Sequence, residues 1–299
     1  MSEFLVLIAR HSYMQHSKYS SVPITLLIVP MDPLAALFTH VTPTARTFFT
    51  GTLCQALQFT GVGHLHMLKA GELRVSRSGE ADLEFLEPTL LFFPRGRTHD
   101  FAVDSRRGAD LVCATVELGG AEGNPIALGL PECVVLPLAE HPALRPVCDL
   151  LVGEAFAEGG GRQTALDRLF EYLLILIVRH VIECGVVSTG VLAGLADPRL
   201  VKALTAIHEA PKKPWKLEEL AEVAGMSRTR FAERFRKLVG RPPIEYLTVW
   251  RITIARQLLG KGKPVKTVAA QVGYDSAAAF SRVFSRVTGH PPRDISQPQ

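Results

Sequence analysis

Two copies of one short pattern lie near the carboxyl end of the chain, 48 positions apart, and each precedes a segment with helical periodicity. Ala221 and Gly225 in the first copy correspond to Ala269 and Gly273 in the second. A small residue lets one helix pack closely on the next, and a glycine permits the tight turn between them. The pattern therefore predicts two helix-turn-helix units in tandem. They span residues 217–238 and 265–287.

The charged residues are distributed unevenly along the 299 residues. Residues 197–299 contain 19 Lys and Arg against 9 Asp and Glu, whereas the rest of the chain contains 14 against 20. The basic region, 197–299, suits contact with DNA phosphates, whereas the acidic remainder of the chain does not. Since the chain is also long enough for two hydrophobic cores, we predict two domains, of which the second, 197–299, is entirely helical and binds DNA.

The first domain has the pattern of a β-structure. Between residues 46 and 136, short apolar runs alternate with glycine, proline and charged residues, and helical periodicity is absent. Such runs predict a small β-barrel or sandwich, which we place within 31–158. Asp32 and Pro33 have the residue types of a helix cap and a first helical position. We therefore interpret residues 1–30 as a disordered or non-native extension.

A long amphipathic segment follows a run of three glycines. Its apolar residues recur at three- and four-residue steps from Thr164 to Cys184, which predicts one helix. The helix could pack on its own barrel, form a dimer contact, or do both. Residues 185–196 have the composition of an interdomain linker, so 162–196 is predicted to hold a dimerisation helix and a linker. The candidate dimer contacts are Leu166, Leu169, Phe170, Leu173 and Ile177.

Several classes of protein are disfavoured. The five cysteines are scattered without CxxC spacing, which argues against a disulfide framework or a zinc cluster and for a reducing cytosol. The apolar runs are much shorter than the roughly 20 residues of a membrane-spanning helix, and we recognise no signal peptide. No Ser-His-Asp arrangement, P-loop or dinucleotide fingerprint is visible, so we expect neither an enzyme nor a cofactor.

Further residues of the helical region carry a family resemblance. They are Trp215, Pro243, Tyr246, Leu247, Trp250, Arg251, Ala255, Leu258, Leu259, Val272, Gly273, Tyr274, Phe280, Phe284, Thr288, Gly289, Pro291 and Pro292. Together with the two units they resemble the DNA-binding domain of AraC/XylS regulators over about 197–296. Residues 66–71 and 91–99 resemble the cupin-type sensor domain of some members of that family.

The resemblance implies an α+β two-domain fold, in which a cupin-like β-barrel and a long helix precede an all-α domain with two helix-turn-helix motifs. It also implies a bacterial transcription factor that binds double-stranded DNA in the cytoplasm, at the nucleoid, as a homodimer. RNA polymerase and an unidentified small effector are the further expected partners.

The recognition helices offer candidate DNA contacts. Phe231, Phe235 and Leu238 form the predicted buried stripe of the first helix, which leaves the opposite face for base edges. The predicted base contacts are Thr229, Ala232, Glu233 and Arg236 in the first unit and Ala277, Ala278, Ser281 and Arg282 in the second. The predicted phosphate contacts are Ser227, Arg228, Arg230, Arg234, Lys237 and Ser276. Solvated surface charge is the alternative for any single arginine.

The first domain has histidines that suggest a metal at first sight. His64, His66 and His99, with Glu72, partly match the metal-binding pattern of cupin enzymes, but Glu72 lies too far from His66 and the histidine pair falls on the wrong strand. We therefore predict no metal. The candidate effector pocket consists of His64, His66, Arg95 and His99.

Two alternatives stay open. One is a regulator whose cupin-like domain only forms dimers. The other is a metal-dependent cupin enzyme fused to a DNA-binding domain.

Overall fold

The computed structural model describes residues 32–118, 125–185 and 187–295, in which a β-rich part precedes a helical part. This order confirms the predicted α+β class. From Pro33 onward the described residues belong to one compact unit. The predicted extension, 1–30, lies outside the described residues. Within the described part of the chain, no helix is both long enough and apolar enough to cross a membrane.

The β-rich part consists of two antiparallel sheets. The strands are β1 (Pro43–Leu53), β2 (Leu57–Phe59), β3 (Gly63–Gly71), β4 (Leu73–Ser76), β5 (Leu83–Phe85), β6 (Thr89–Phe93), β7 (His99–Val103), β8 (Ala109–Leu118) and β9 (Val134–Pro137). One sheet has the strand order β1-β8-β3-β6-β9, and the other has the order β2-β7-β4-β5.

The five-stranded sheet is buried on both faces. In β6, Leu91 and Phe93 pack toward the four-stranded sheet, whereas Leu90 and Phe92 pack toward helices on the other side. The same alternation in β3 directs Leu65 toward the helices. Burial on both faces explains why these strands are continuous apolar runs rather than alternating ones.

The helices described in the amino-terminal part are α1 (Pro33–His40), α2 (Pro125–Gly129), α3 (Arg145–Ala155) and α4 (Arg162–Glu183). Helix α4 packs on β1 and α3. Its apolar stripe is thereby used within the subunit, and Leu166, Phe170, Leu173 and Ile177 have no exposed surface. The structure contradicts their assignment as dimer contacts, because a second subunit could not reach them. Leu169 is only partly buried.

The helical part consists of α5 (Val191–Ala196), α6 (Leu200–Glu209), α7 (Leu217–Val223), α8 (Arg228–Val239), α9 (Pro243–Gly260), α10 (Val265–Gln271), α11 (Ala277–Thr288) and α12 (Pro292–Ile295). Helix α5 lies in the segment interpreted as a linker. Its Val191 and Leu192 are buried, and it packs against α2, α4, α6 and α8. Apolar composition alone gave no sign of this packing, because small apolar residues occur both in linkers and in closely packed helices.

Local signals define both recognition helices. Helix α8 begins after Ser227 and ends at Gly240, whose φ is 85°. Helix α11 begins after Ser276 and ends at Gly289, whose φ is 78°. A residue in this left-handed region terminates a helix, and glycine adopts it without strain.

Candidate functional site

The two helix-turn-helix units close their turns with equivalent hydrogen bonds. Met226 donates its backbone N–H to the Ala221 carbonyl, and Tyr274 donates to the Ala269 carbonyl, both at 2.9 Å. The intervening Gly225 has a φ of 64°, and the equivalent glycine of the second unit has a φ of 85°. The two units therefore share one turn geometry, as the 48-residue offset predicts.

Helix α8 presents a polar face opposite its buried side. Phe231, Phe235 and Val239 are buried, so Val239 takes the place predicted for Leu238, which is only partly buried. Of the predicted base contacts on this helix, three are exposed and Ala232 is partly buried. The exposed three are Thr229, Glu233 and Arg236.

Basic residues surround that face. Arg228, Arg230 and Lys237 are exposed, as contacts with phosphates would require. The Nε atom of Arg228 lies 3.0 Å from Oε1 of Glu218, but both side chains are more than half exposed. Such a surface pair is weak, so it leaves Arg228 available to a phosphate at little cost.

Arg234 differs from its basic neighbours because its guanidinium binds a buried carboxylate. Its Nε donates to Oδ2 of Asp197 at 2.7 Å, and its Nη2 contacts the same oxygen. The Asp197 side chain is only 4% exposed, and its Oδ1 accepts hydrogen bonds from the backbone of Arg199 and Leu200. This arrangement favours a structural role for Arg234 over the predicted phosphate contact.

Helix α11 has the same organisation with fewer polar groups. Phe280 and Phe284 are buried, whereas Ala278 and Arg282 are exposed. The other two predicted base contacts on this helix, Ala277 and Ser281, are half-buried. The hydroxyl of Ser276 accepts a hydrogen bond from the backbone of Ala279 at 3.2 Å, so this residue caps the helix.

Arg251 on α9 connects the two units, and our sequence analysis assigned it no role of its own. Its Nε donates to the Pro211 carbonyl at 2.7 Å and its Nη2 donates to the Lys213 carbonyl at 3.0 Å, in the segment before α7. The guanidinium also lies 5.6 Å from the ring centre of Tyr274, in the second turn. Arg251 therefore ties the approach to the first unit to the turn of the second.

Three histidines come together between the two sheets. His64 and His66 lie on β3 and His99 lies on β7, and one ring nitrogen from each lies within 4.8 Å of the others. Nε2 of His66 is 3.1 Å from Nε2 of His99, whose Nδ1 is 2.9 Å from the Arg97 carbonyl. The structure thus brings together three of the four predicted pocket residues.

Arg95 points elsewhere. Its Nη2 donates to the Leu130 carbonyl at 3.4 Å. Glu72, the carboxylate of the partial metal pattern, is exposed at the turn between β3 and β4. Aromatic rings pack against the histidines: Phe93 stacks on His99 with ring centres 3.7 Å apart, and Phe59 stacks on it from 5.1 Å.

Burial keeps all three imidazoles neutral. It lowers the pKa of His64 to about 4, with a further contribution from His99. It lowers the pKa of His66 well below 6.5, and it lowers that of His99 although the Arg97 carbonyl opposes the shift. Among the described residues, the Nδ1 atoms of His64 and His66 have no hydrogen-bond partner, and both atoms are buried. Each such atom costs roughly 1–3 kcal/mol, so the cluster requires an explanation.

Comparison with known proteins assigns the family. A cupin family model matches residues 32–183, and a helix-turn-helix domain model matches residues 220–297. An uncharacterised HTH-type transcriptional regulator of Haemophilus influenzae is 30% identical over 247 residues, which are 75% of this chain and 82% of that protein. The chain belongs to the AraC family of DNA-binding transcription regulators.

Two further similarities concern parts of this AraC-family regulator. A putative AraC-like transcription regulator of Streptomyces lividans is 40% identical over 139 residues, and the match spans 44% of this chain and 46% of that protein. The crystal structure of the DNA-binding domain of AdpA, in complex with a target DNA, is 32% identical. That match covers 33% of this chain and 90% of the AdpA chain, with a TM-score of 0.32.

Proposed function

We propose that this AraC-family regulator binds a two-part DNA site, with α8 and α11 in adjacent major grooves. The supporting observation is the shared turn geometry of the two units, each of which exposes part of one face of its second helix. Because α9 joins the units within one chain, we expect the two DNA elements to lie about one helical turn, roughly 10 bp, apart.

The exposed faces supply the proposed base contacts. They are Thr229, Ala232, Glu233 and Arg236 on α8 and Ala277, Ala278, Ser281 and Arg282 on α11. Glu233 can accept a hydrogen bond from cytosine N4, and Arg282 can donate two to guanine. The alanines offer only methyl contacts, so we expect the second unit to depend more on DNA shape than the first.

Phosphate contacts position the two units on the duplex without conferring sequence specificity. We assign this role to Ser227, Arg228, Arg230, Lys237 and Ser276. We leave Arg234 out because its guanidinium binds Asp197. The excess of basic residues over 197–299 supports a large electrostatic contribution to affinity, which must fall as the salt concentration rises.

The cupin-like part is proposed to control DNA binding through a small ligand held between its sheets. We also propose that the protein acts as a homodimer at the nucleoid, in contact with RNA polymerase, and that it is not an enzyme. The buried stripe of α4 is occupied within the subunit, so a dimer contact on this helix would use its outer face. Tyr172 on that face is 49% exposed, and Leu169 and Leu176 are partly exposed beside it.

Selection of sheared genomic DNA by the purified full-length protein tests the proposal. Wild-type protein should enrich a few sites with paired elements about 10 bp apart. Arg282→Ala should relax the sequence preference at one base position, at a cost of about 1–3 kcal/mol. Arg168→Ala is the matched control, since Arg168 is an exposed arginine on α4 outside the helix-turn-helix units. Enrichment without a shared motif would contradict sequence-specific binding.

A further inference from the structure

The histidine cluster has the distances of a metal site. A tetrahedral ion with metal–nitrogen distances of about 2.0–2.1 Å places its ligand atoms roughly 3.3 Å from one another. Nε2 of His66 and Nε2 of His99 are 3.1 Å apart, and the nitrogen from His64 lies within 4.8 Å of both. Binding of one ion by all three nitrogens therefore requires the His64 nitrogen to move closer to the other two, by rotation of its side chain.

A neighbouring carbonyl prepares His99 to act as a ligand. The Arg97 carbonyl can only accept a hydrogen bond, so the Nδ1 atom of His99, at 2.9 Å, must carry the proton. Its Nε2 atom then presents a lone pair to the cluster. Metal-binding histidines generally have this arrangement, because a hydrogen bond from the second ring nitrogen fixes the tautomer and the orientation of the ring.

The hydrogen bonds within the cluster do not involve every ring nitrogen of the three histidines. With the Nε2 lone pair of His99 as acceptor, His66 donates from its own Nε2, so an ion can bind this nitrogen only after the His66 proton has moved to Nδ1, a fully buried atom with no partner among the described residues. The Nδ1 atom of His64 is likewise buried and has no partner in the part of the chain that the structure describes. Three neutral imidazoles gathered in an aromatic pocket thus keep unused hydrogen-bonding capacity.

The donor set indicates which class of metal fits. Three imidazole nitrogens suit Zn²⁺, Cu²⁺, Ni²⁺ or Co²⁺, whereas Mg²⁺ and Ca²⁺ require oxygen ligands. Glu72 is exposed and outside the cluster, so it adds no carboxylate. Cys113 is the cross-strand neighbour of His66, but its sulfur is not among the ligand atoms that lie within 4.8 Å of one another. Three protein ligands would leave a coordination position for water or a small anion.

We propose that His64, His66 and His99 bind one divalent transition-metal ion, with Zn²⁺ as the probe, and that this ion joins β3 of one sheet to β7 of the other. This proposal revises the sequence-based expectation of no metal. The proposal also makes the ion the small ligand that controls DNA binding. This regulatory role rests on the proposed function, whereas the metal site itself does not. Because β3 and β7 belong to different sheets, binding should restrict the movement of the sheets relative to each other.

The first experiment measures Zn²⁺ binding to full-length protein that has been treated with a chelator, by competition with a chromophoric indicator. We expect one tightly bound ion per chain in the wild type and at least a 100-fold loss of affinity in His66→Leu. Removal of a group that hydrogen-bonds to a metal ligand typically lowers the metal affinity 10–100-fold, and loss of a ligand itself should lower it further. His64→Gln provides a second variant if His66→Leu does not unfold cooperatively.

His180→Ala is the matched control, because His180 on α4 is a potential zinc ligand outside the cluster. It is half-buried, and its Nε2 lies 3.5 Å from Sγ of the exposed Cys184. Its Zn²⁺ affinity should equal that of the wild type. X-ray absorption of the Zn²⁺-loaded protein should show nitrogen and oxygen neighbours only. Binding that is lost in His180→Ala but retained in His66→Leu, a sulfur neighbour, or the absence of tight binding would each overturn the proposal.

DNA binding separates this proposal from the proposed function. If Zn²⁺ is the regulatory ligand, the affinity for a selected site should differ between loaded and chelated wild type, but not in His66→Leu. An unchanged DNA affinity despite tight Zn²⁺ binding would overturn the regulatory role and support a structural metal. Failure to recognise any DNA sequence would refute the proposed function and leave the measured Zn²⁺ stoichiometry as the test of the site.

Discussion

The ion pair between Asp197 and Arg234 permits a direct test of how the first recognition helix is held. The carboxylate lies at the start of α6 and is almost fully buried, whereas the guanidinium belongs to α8 and is 45% exposed. Burial alone would raise the pKa of Asp197, but the hydrogen bonds from Arg234, Leu200 and Arg199 outweigh it, and the pKa is lowered. The carboxylate is therefore charged at neutral pH, and it accepts hydrogen bonds from Arg234 on α8 and from the backbone at the start of α6.

The structure sets the expected loss of stability. Arg234→Ala removes a charge-assisted interaction worth about 1.5–3 kcal/mol, which we reduce to about 1–2 kcal/mol because the guanidinium is partly solvated. Asp197→Ala also removes the acceptor for two backbone N–H groups, a capping contribution of about 1 kcal/mol. We therefore expect about 2–3 kcal/mol for Asp197→Ala. The double variant should show a coupling energy of about 1–2 kcal/mol.

Two assays distinguish this structural role from a phosphate contact. Denaturant unfolding of the full-length single and double variants gives the coupling energy. The salt dependence of DNA binding counts phosphate contacts, since each one contributes about 0.9 to the slope of log K against log salt. Arg230→Ala is the control, because Arg230 is exposed and is proposed to contact a phosphate. It should lower the slope by about 0.9 without changing the stability.

Arg234→Ala should give the opposite result, with reduced stability and an unchanged slope. A slope lowered by about 0.9, together with a loss of stability under about 0.5 kcal/mol, would refute the structural role. The original assignment to a phosphate would then stand.

Three further predictions concern the turns, the buried histidines and the dimer. Gly273→Ala should destabilise the protein more than Gly225→Ala in denaturant unfolding, because a Cβ at Gly273 would lie 2.6 Å from the Lys212 carbonyl oxygen, whereas one at Gly225 meets no atom of the described residues within 4 Å. Equal losses would contradict this. Burial lowers the pKa of His208 to about 3, so in chelator the unfolded state should take up the proton first, and below about pH 6.5 this residue alone should contribute a fall in stability of up to roughly 1.4 kcal/mol per pH unit, measured as the difference between the wild type and His208→Gln. A melting temperature that stays constant from pH 7 to 5 would count against that burial. If α4 forms a dimer through its outer face, Tyr172→Arg should give a monomer in sedimentation analysis, and its melting temperature should no longer rise with protein concentration.

The helical part could be predicted closely because its signals are local. Ser227 and Gly240 have the residue types of a helix start and a helix stop, and the structure places the helix between them, at Arg228–Val239. Helix starts and glycine stops depend on residues within one turn, so the sequence alone contains them. The same holds for Phe280 and Phe284, whose four-residue spacing predicts the buried side of α11.

Contacts between distant residues could not be predicted in this way. The apolar stripe of α4 showed that one face is buried but not which surface covers it. Asp197 and Arg234 are 37 positions apart, and no periodic pattern connects them. The alternation in β3 shows that His64 and His66 share a face. Only the relative position of the two sheets brings His99 to that face.

These long-range contacts also indicate where control of DNA binding would act. Helix α8 is held by the ion pair with Asp197, and the backbone N–H of Gly190, just before α5, donates to the Leu238 carbonyl at 2.8 Å. Helix α5 in turn packs against α2 and α4 of the amino-terminal part. The contacts described for α11 are with α9, α10 and α12 instead. A ligand changes DNA affinity only if it favours one of two arrangements of the protein. A shift of the amino-terminal part would move the first recognition helix relative to the second, so we expect the ligand to act on recognition of the first DNA element.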